Sequence, residues 1–120
     1  MPKKILLVDD EPDIRTLVMY RLEKAGYRVE AAIDGPEAFE LIKKEPPDLI
    51  LLDLCLPVTR GDDVCKKLKA DDKLKSIPII LFTVSTENIC EDFKKCGADD
   101  YLIKPFDSAD LLEKVKKIIG

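Results

Sequence analysis

The chain has 120 residues, 46% of them hydrophobic and 37% charged, enough for one compact core and too few for two ordinary domains, so residues 1–120 read as a single domain. A net charge of −4 and a pI near 4.9 argue against direct nucleic-acid binding, and the basic run Lys66, Lys67 and Lys69 reads as a solvated helix face. The run "ILLV" after Lys3 and Lys4 is too short for a signal-peptide core and no apolar run approaches a membrane span, while Cys55, Cys65, Cys90 and Cys96, without any histidine, lack zinc-site spacing; reduced thiols in a cytoplasmic protein are expected.

The first apolar run, residues 5–8, has the character of a buried strand, yet it delivers Asp9, Asp10 and Glu11 in succession. Like charges about 4 Å apart repel by roughly 1 kcal/mol in water and by several times that near a protein surface, so something must offset them. Pro12 then opens a helix with Ile14, Leu17, Val18 and Leu22 on one face, ended by Gly26. "YRVEAAI" at 27–33 is a second strand, and a helix from about Gly35 turns Ala38, Leu41 and Ile42 inward before stopping at Pro46 and Pro47. "LILL" at 49–52 ends in Asp53 and is followed by a helix packing through Val64 and Leu68. "IPIILF" at 77–82 ends in Thr83, Val84 and Ser85, and a short helical pattern follows over Thr86 to Lys95, with Ile89 and Phe93 at suitable spacing. "YLI" at 101–103 ends in Lys104 and Pro105, and a last helix packs through Leu111, Val115 and Ile118.

Five such alternating β/α units predict an α/β fold: a parallel five-stranded sheet with helices on both faces and right-handed crossovers, a flavodoxin-like three-layer arrangement of strand order 2-1-3-4-5. Ligands of such sheets sit beyond the carboxyl ends of the strands, where the order reverses. In that order the first and third strands are neighbours, which brings Asp9, Asp10 and Asp53 together. A hard divalent cation would offset their repulsion, and oxygen ligands favour Mg²⁺.

This pattern resembles the receiver domain of two-component response regulators, the family of the single-domain chemotaxis regulator. The likeness runs along essentially the whole chain: "VDDE" after the first strand, "LLDLCLP" with Gly61 eight residues past Asp53, "LFTVS" ending the fourth strand and "GADDYLIKPF" around the fifth. The resemblance implies a phosphoacceptor switch and not a turnover enzyme, one that catalyses only its own phosphorylation and dephosphorylation. It makes Asp53 the acceptor, with Mg²⁺ held by Asp9, Asp10, Asp53 and the backbone carbonyl of Cys55. Thr83 and Lys104 would grip the phosphoryl oxygens, a cis Lys104–Pro105 bond would hold the last loop, and Thr83 and Tyr101 would form the switch.

Expected partners by the same resemblance are a sensor histidine kinase or histidine phosphotransfer protein as donor, and a downstream protein target or an output domain not seen in this chain. The likeness leaves room for a dimer through the fourth helix, fifth strand and fifth helix, with no nucleic acid or membrane contacted directly. Departures from the family pattern fall at Val84, where alanine or glycine is usual, at Arg60, where many relatives carry an acid, and at Cys55. Cys55, Val84 and Ser85 are therefore expected to tune phosphoryl lifetime. Two other readings share parts of the pattern. A hydrolase of the haloacid dehalogenase type needs an acid at position 55, where this chain has Cys, and a flavodoxin-like electron carrier needs a hydroxyl-rich first loop, where this chain has Asp9, Asp10 and Glu11. A receiver-fold module that signals without phosphate is the third.

Overall fold

The computed structural model describes residues 2–83 and 96–120. Its elements follow in the order β1 (Lys4–Val8), α1 (Pro12–Lys24), β2 (Arg28–Ala32), α2 (Gly35–Lys44), β3 (Leu49–Asp53), α3 (Gly61–Ala70), β4 (Ile79–Thr83), β5 (Asp100–Ile103) and α4 (Ser108–Ile119). The expected helical pattern over Thr86 to Lys95 lies outside the described residues, so the C-terminal helix is here the fourth. All strand pairs are parallel, as the alternation predicts, and the sheet order β2-β1-β3-β4-β5 is that of the expected flavodoxin-like arrangement.

Three central strands, β1, β3 and β4, are buried along their whole length, as expected of strands covered on both faces. Their side chains alternate between two cores. Leu6, Val8, Ile50, Leu52, Ile79 and Leu81 face Ala38 and Ile42 of α2 and Val64, Cys65 and Leu68 of α3. Ile5, Leu7, Leu49, Leu51, Ile80 and Phe82 face Val18 and Leu22 of α1 and Leu111 and Val115 of α4.

Local chemistry sets the helix boundaries. Pro12 occupies the first turn of α1, where its missing N–H costs nothing, and Gly26, at φ 99°, turns the chain towards β2. The Asp34 side chain caps α2 by accepting from the Glu37 N–H at 2.9 Å, a bond worth about 1 kcal/mol. One predicted face is corrected. Leu17 of α1 is 47% exposed, because the stripe that meets the sheet runs through Val18 and Leu22 with Ile14 and Met19 at its margins, and Leu17 lies off it. Lys69 is the other exception: Lys66 and Lys67 are exposed as expected, but Lys69 is drawn into contacts across the fold.

Candidate functional site

The carboxyl ends of β1, β3, β4 and β5 converge. Asp9 follows β1 directly and is fully buried, Asp10 beside it is exposed, and Asp53 ends β3 at 4% exposure. One carboxylate oxygen from each of the three lies within 4.8 Å of the others. The parallel pairing of β1 with β3, Val8 opposite Leu52, produces this meeting from residues 44 positions apart in sequence (53 − 9).

Lys104 supplies the opposing charge. It leaves β5 nearly buried, its ammonium 2.9 Å from Asp9 Oδ2, 3.1 Å from Glu11 Oε1 and 3.5 Å from Asp53 Oδ2. The repulsion noted at the end of the first strand is thus partly offset by the protein itself. Burial alone would lower the Lys104 ammonium, but the hydrogen bond to Asp9 and the Asp53 and Asp9 charges outweigh it and raise it above the ordinary lysine value. For Asp53 the balance has the opposite effect on charge. Burial, and then the Asp9 charge, push its carboxyl above the usual aspartate value against the pull of Lys104 and the Cys55 N–H.

Backbone groups hold these side chains in place. The Glu11 N–H donates to Asp9 Oδ1 at 2.9 Å, Arg15 Nη1 to the Asp9 carbonyl at 3.0 Å, and the Cys55 N–H to Asp53 Oδ1 at 3.2 Å. The Lys104 N–H donates to the Thr83 carbonyl, joining the ends of β4 and β5, and the Lys104–Pro105 bond is cis. Gly61 begins α3 against the end of β3. A Cβ there would lie 2.1 Å from the Asp53 carbonyl oxygen, so only glycine permits this approach. Between them, Val58 takes φ 69° with its side chain 82% exposed, a conformation costing a β-branched residue about 1 kcal/mol or more.

The structure therefore brings together Asp9, Asp10, Asp53 and Lys104, with buried Thr83 at the adjoining strand end and Cys55 exposed two residues beyond Asp53. Tyr101 is half-buried against the core on the α2–α3 side of the sheet, with the Lys114 ammonium 5.5 Å from its ring centroid. Val84 and Ser85 lie outside the described residues. The part of Glu11 as a Lys104 partner was missed in the sequence, although its place one residue after the acid pair was the available signal. Three hard carboxylate oxygens at this spacing, two of them buried, suit a hard divalent cation better than a soft one.

A profile of the response regulator receiver domain matches residues 5–116. The chain belongs to that family. Among relatives of this receiver domain, the transcriptional regulator RpaA of Synechocystis is 41% identical over 99% of the chain and 49% of its own length. The chain spans about half the length of the curated relatives it matches. The chemotaxis protein CheY4 of Vibrio cholerae superposes with a TM-score of 0.93 at 34% identity, covering 99% of this chain and 100% of that one. A receiver domain of a Pseudomonas aeruginosa sensor histidine kinase, solved with a magnesium ion coordinated in its active-site cleft, gives 0.92 at 33% identity, covering 100% and 99%. No helix among the described residues is long and apolar enough to cross a membrane.

Proposed function

We propose that this receiver domain is a phosphoacceptor switch whose acceptor is Asp53. The observation that carries the reading is the convergence of Asp9, Asp10, Asp53 and Lys104 from three strand ends. Asp9, Asp10, the Asp53 carboxylate and the Cys55 backbone carbonyl would hold a magnesium ion, which when bound supplies positive charge against the crowded oxygens of acceptor and donor.

The protein's own part is positioning. The Asp53 carboxylate, fixed through Oδ1 by the Cys55 N–H, attacks phosphorus in line through its other oxygen; the O–P bond of an acyl phosphate forms as the P–N bond to a donor phosphohistidine breaks and its imidazole leaves. Lys104 stands 3.5 Å from that oxygen and carries its ammonium from the Asp9 carboxylate to a phosphoryl oxygen. The Thr83 hydroxyl donates to another, and Tyr101 follows into the space vacated. Such a domain turns over no external substrate. An exposed Cys55, with Val84 and Ser85, would set how well the hydrolytic water is held and hence how long the phosphoryl group lasts.

Cys rather than an acid at position 55 disfavours a dehalogenase-type hydrolase, and an acidic mouth disfavours a bound flavin phosphate. The donor chemistry is a phosphohistidine, from a sensor kinase or phosphotransfer protein in the cytoplasm, and the recipient of the signal is a target protein or an attached output domain. Incubation with Mg²⁺ and acetyl phosphate should add one phosphoryl group by intact mass, and Asp53→Asn should abolish the addition because an amide is a poor nucleophile. Equal labelling of Asp53→Asn would overturn the assignment, as would no labelling of the wild type by either acetyl phosphate or a phosphohistidine donor.

A further inference from the structure

Away from this site, two thiols meet inside the fold. Cys65 lies on α3 and is fully buried, and Cys96, just before the turn into β5, is 2% exposed. Both belong to the same apolar core, and neither takes part in the chemistry above. Cys65 Sγ donates to the backbone carbonyl of Cys96 at 3.3 Å, and the two thiols lie close enough for each to perturb the other's ionisation. Gly97, at φ 80°, sets the backbone that follows Cys96 against the Lys69 side chain one turn along α3, a second contact between the same two segments.

We propose that Cys65 and Cys96 form an oxidisable site in which a hydroperoxide converts the two thiols into an intramolecular disulfide. The Cys96 thiolate attacks one oxygen of the hydroperoxide, an S–O bond forms as the O–O bond breaks, and the leaving alkoxide or hydroxide takes a proton. Cys65 sulfur then attacks the sulfenic sulfur; the S–S bond forms, the S–O bond breaks, and hydroxide leaves with the Cys65 proton as water. The two thiols lose two electrons and two protons, and the hydroperoxide is reduced to an alcohol, or to water, plus one further water.

The two sulfurs are suited to different halves of this reaction. The neighbouring Cys65 thiol, against the opposing effect of burial, holds the Cys96 thiol below its ordinary value, while Cys96 and burial push Cys65 up. One thiolate shared between the pair is thus favoured on Cys96, with Cys65 as the resolving partner. Burial demands a small oxidant, which hydrogen peroxide satisfies, and shields the product from larger reductants. The bridge would close a loop between positions 31 apart, enclosing all of β4 with Thr83.

The test uses the wild-type chain treated with hydrogen peroxide, blocked with iodoacetamide in denaturant and digested with trypsin without reductant. Cleavage after Arg60, Lys66, Lys94 and Lys95 places the four cysteines in four separate peptides. Exposed Cys55 reports the oxidant dose. The expected product joins the Cys65 and Cys96 peptides, is cleaved by dithiothreitol, and melts roughly 10 °C above the reduced protein, a gain absent from Cys65→Ala. Recovery of both peptides as separate alkylated species once Cys55 is oxidised, or of Cys96 joined to Cys90 or Cys55, overturns the proposal. So does a joined pair with no rise in melting temperature, because the native geometry would then not accommodate the bridge. The peptide map decides the matter even if Cys65→Ala does not fold.

Discussion

Asp10 stands apart from the other acids of the site in what it is asked to do. Asp9 and Asp53 are buried and paired with Lys104, so removing either carboxylate disturbs packing, charge and the proposed metal site together. Asp10 is exposed, and its carboxylate adds repulsion to the cluster. Asp10→Ala should therefore leave the metal-free melting temperature within a degree or two of wild type, or raise it, while removing most of the rise that saturating Mg²⁺ produces. Thermal melts of both proteins with Mg²⁺ and with a chelator measure this, and an equal Mg²⁺-induced rise in the two would remove Asp10 from the ligand set. These residues were legible in the sequence because acids at the end of an apolar strand have a cost that demands a partner. Lys4 was not, for the converse reason. It is 5% exposed at the start of β1, paired with Glu30 and donating to the Glu45 carbonyl at 2.9 Å, partners that only the sheet and the end of α2 bring near.

Elements were read well where burial is one-sided and less well where a side chain crosses between elements. α2 and α4 place their predicted apolar positions against the sheet, since an i, i+3, i+4 stripe has one way to be buried. Lys69 escaped the same logic. Periodicity assigns it to a solvated face with Lys66 and Lys67, but its stem lies beside Gly97 and its ammonium donates to the Lys75 carbonyl at 3.2 Å, the Ile77 carbonyl at 3.0 Å and Asp99 Oδ2 at 2.9 Å. Asp99 Oδ2 also accepts from the Ile79 N–H at 2.8 Å, so one lysine ties α3 to the starts of β4 and β5. Lys69→Met keeps the stem and removes these bonds. It should lower stability by about 1–2 kcal/mol in urea unfolding, whereas Lys66→Met should change it by less than about 0.5 kcal/mol. Similar losses in both would return Lys69 to the solvated face.

At the scale of the whole molecule, the strand order connects the acidic site to a surface on the far side of the sheet edge. β1 and β3 carry the acids, β4 ends in buried Thr83, and β5 pairs with β4 so that Leu81 stands beside Tyr101 and Thr83 beside Ile103. Tyr101 is half-buried on edge strand β5, and Lys114 of α4 both stands over its ring and pairs with Asp100 at 2.8 Å. On the proposed switch, a group arriving at Asp53 would act on α4 through the Thr83 hydroxyl, the β4–β5 pair, Tyr101 and the Lys114 contacts. If the Thr83 hydroxyl biases the switch by one hydrogen bond of about 1 kcal/mol, its loss changes the active population about five-fold, enough to see in amide shifts. With Mg²⁺ and beryllium trifluoride as a tetrahedral phosphoryl mimic, wild type and Thr83→Ala should show similar shifts at Asp9, Asp10 and Asp53. Shifts at Tyr101 and Lys114 should shrink several-fold in Thr83→Ala and return in Thr83→Ser, which restores the hydroxyl but not the methyl. Recovery by serine separates a hydrogen-bonding role from simple packing. Undiminished shifts at Tyr101 and Lys114 in Thr83→Ala would show that the signal crosses the sheet without the hydroxyl, and Lys104, whose N–H already bonds the Thr83 carbonyl, would become the group to test.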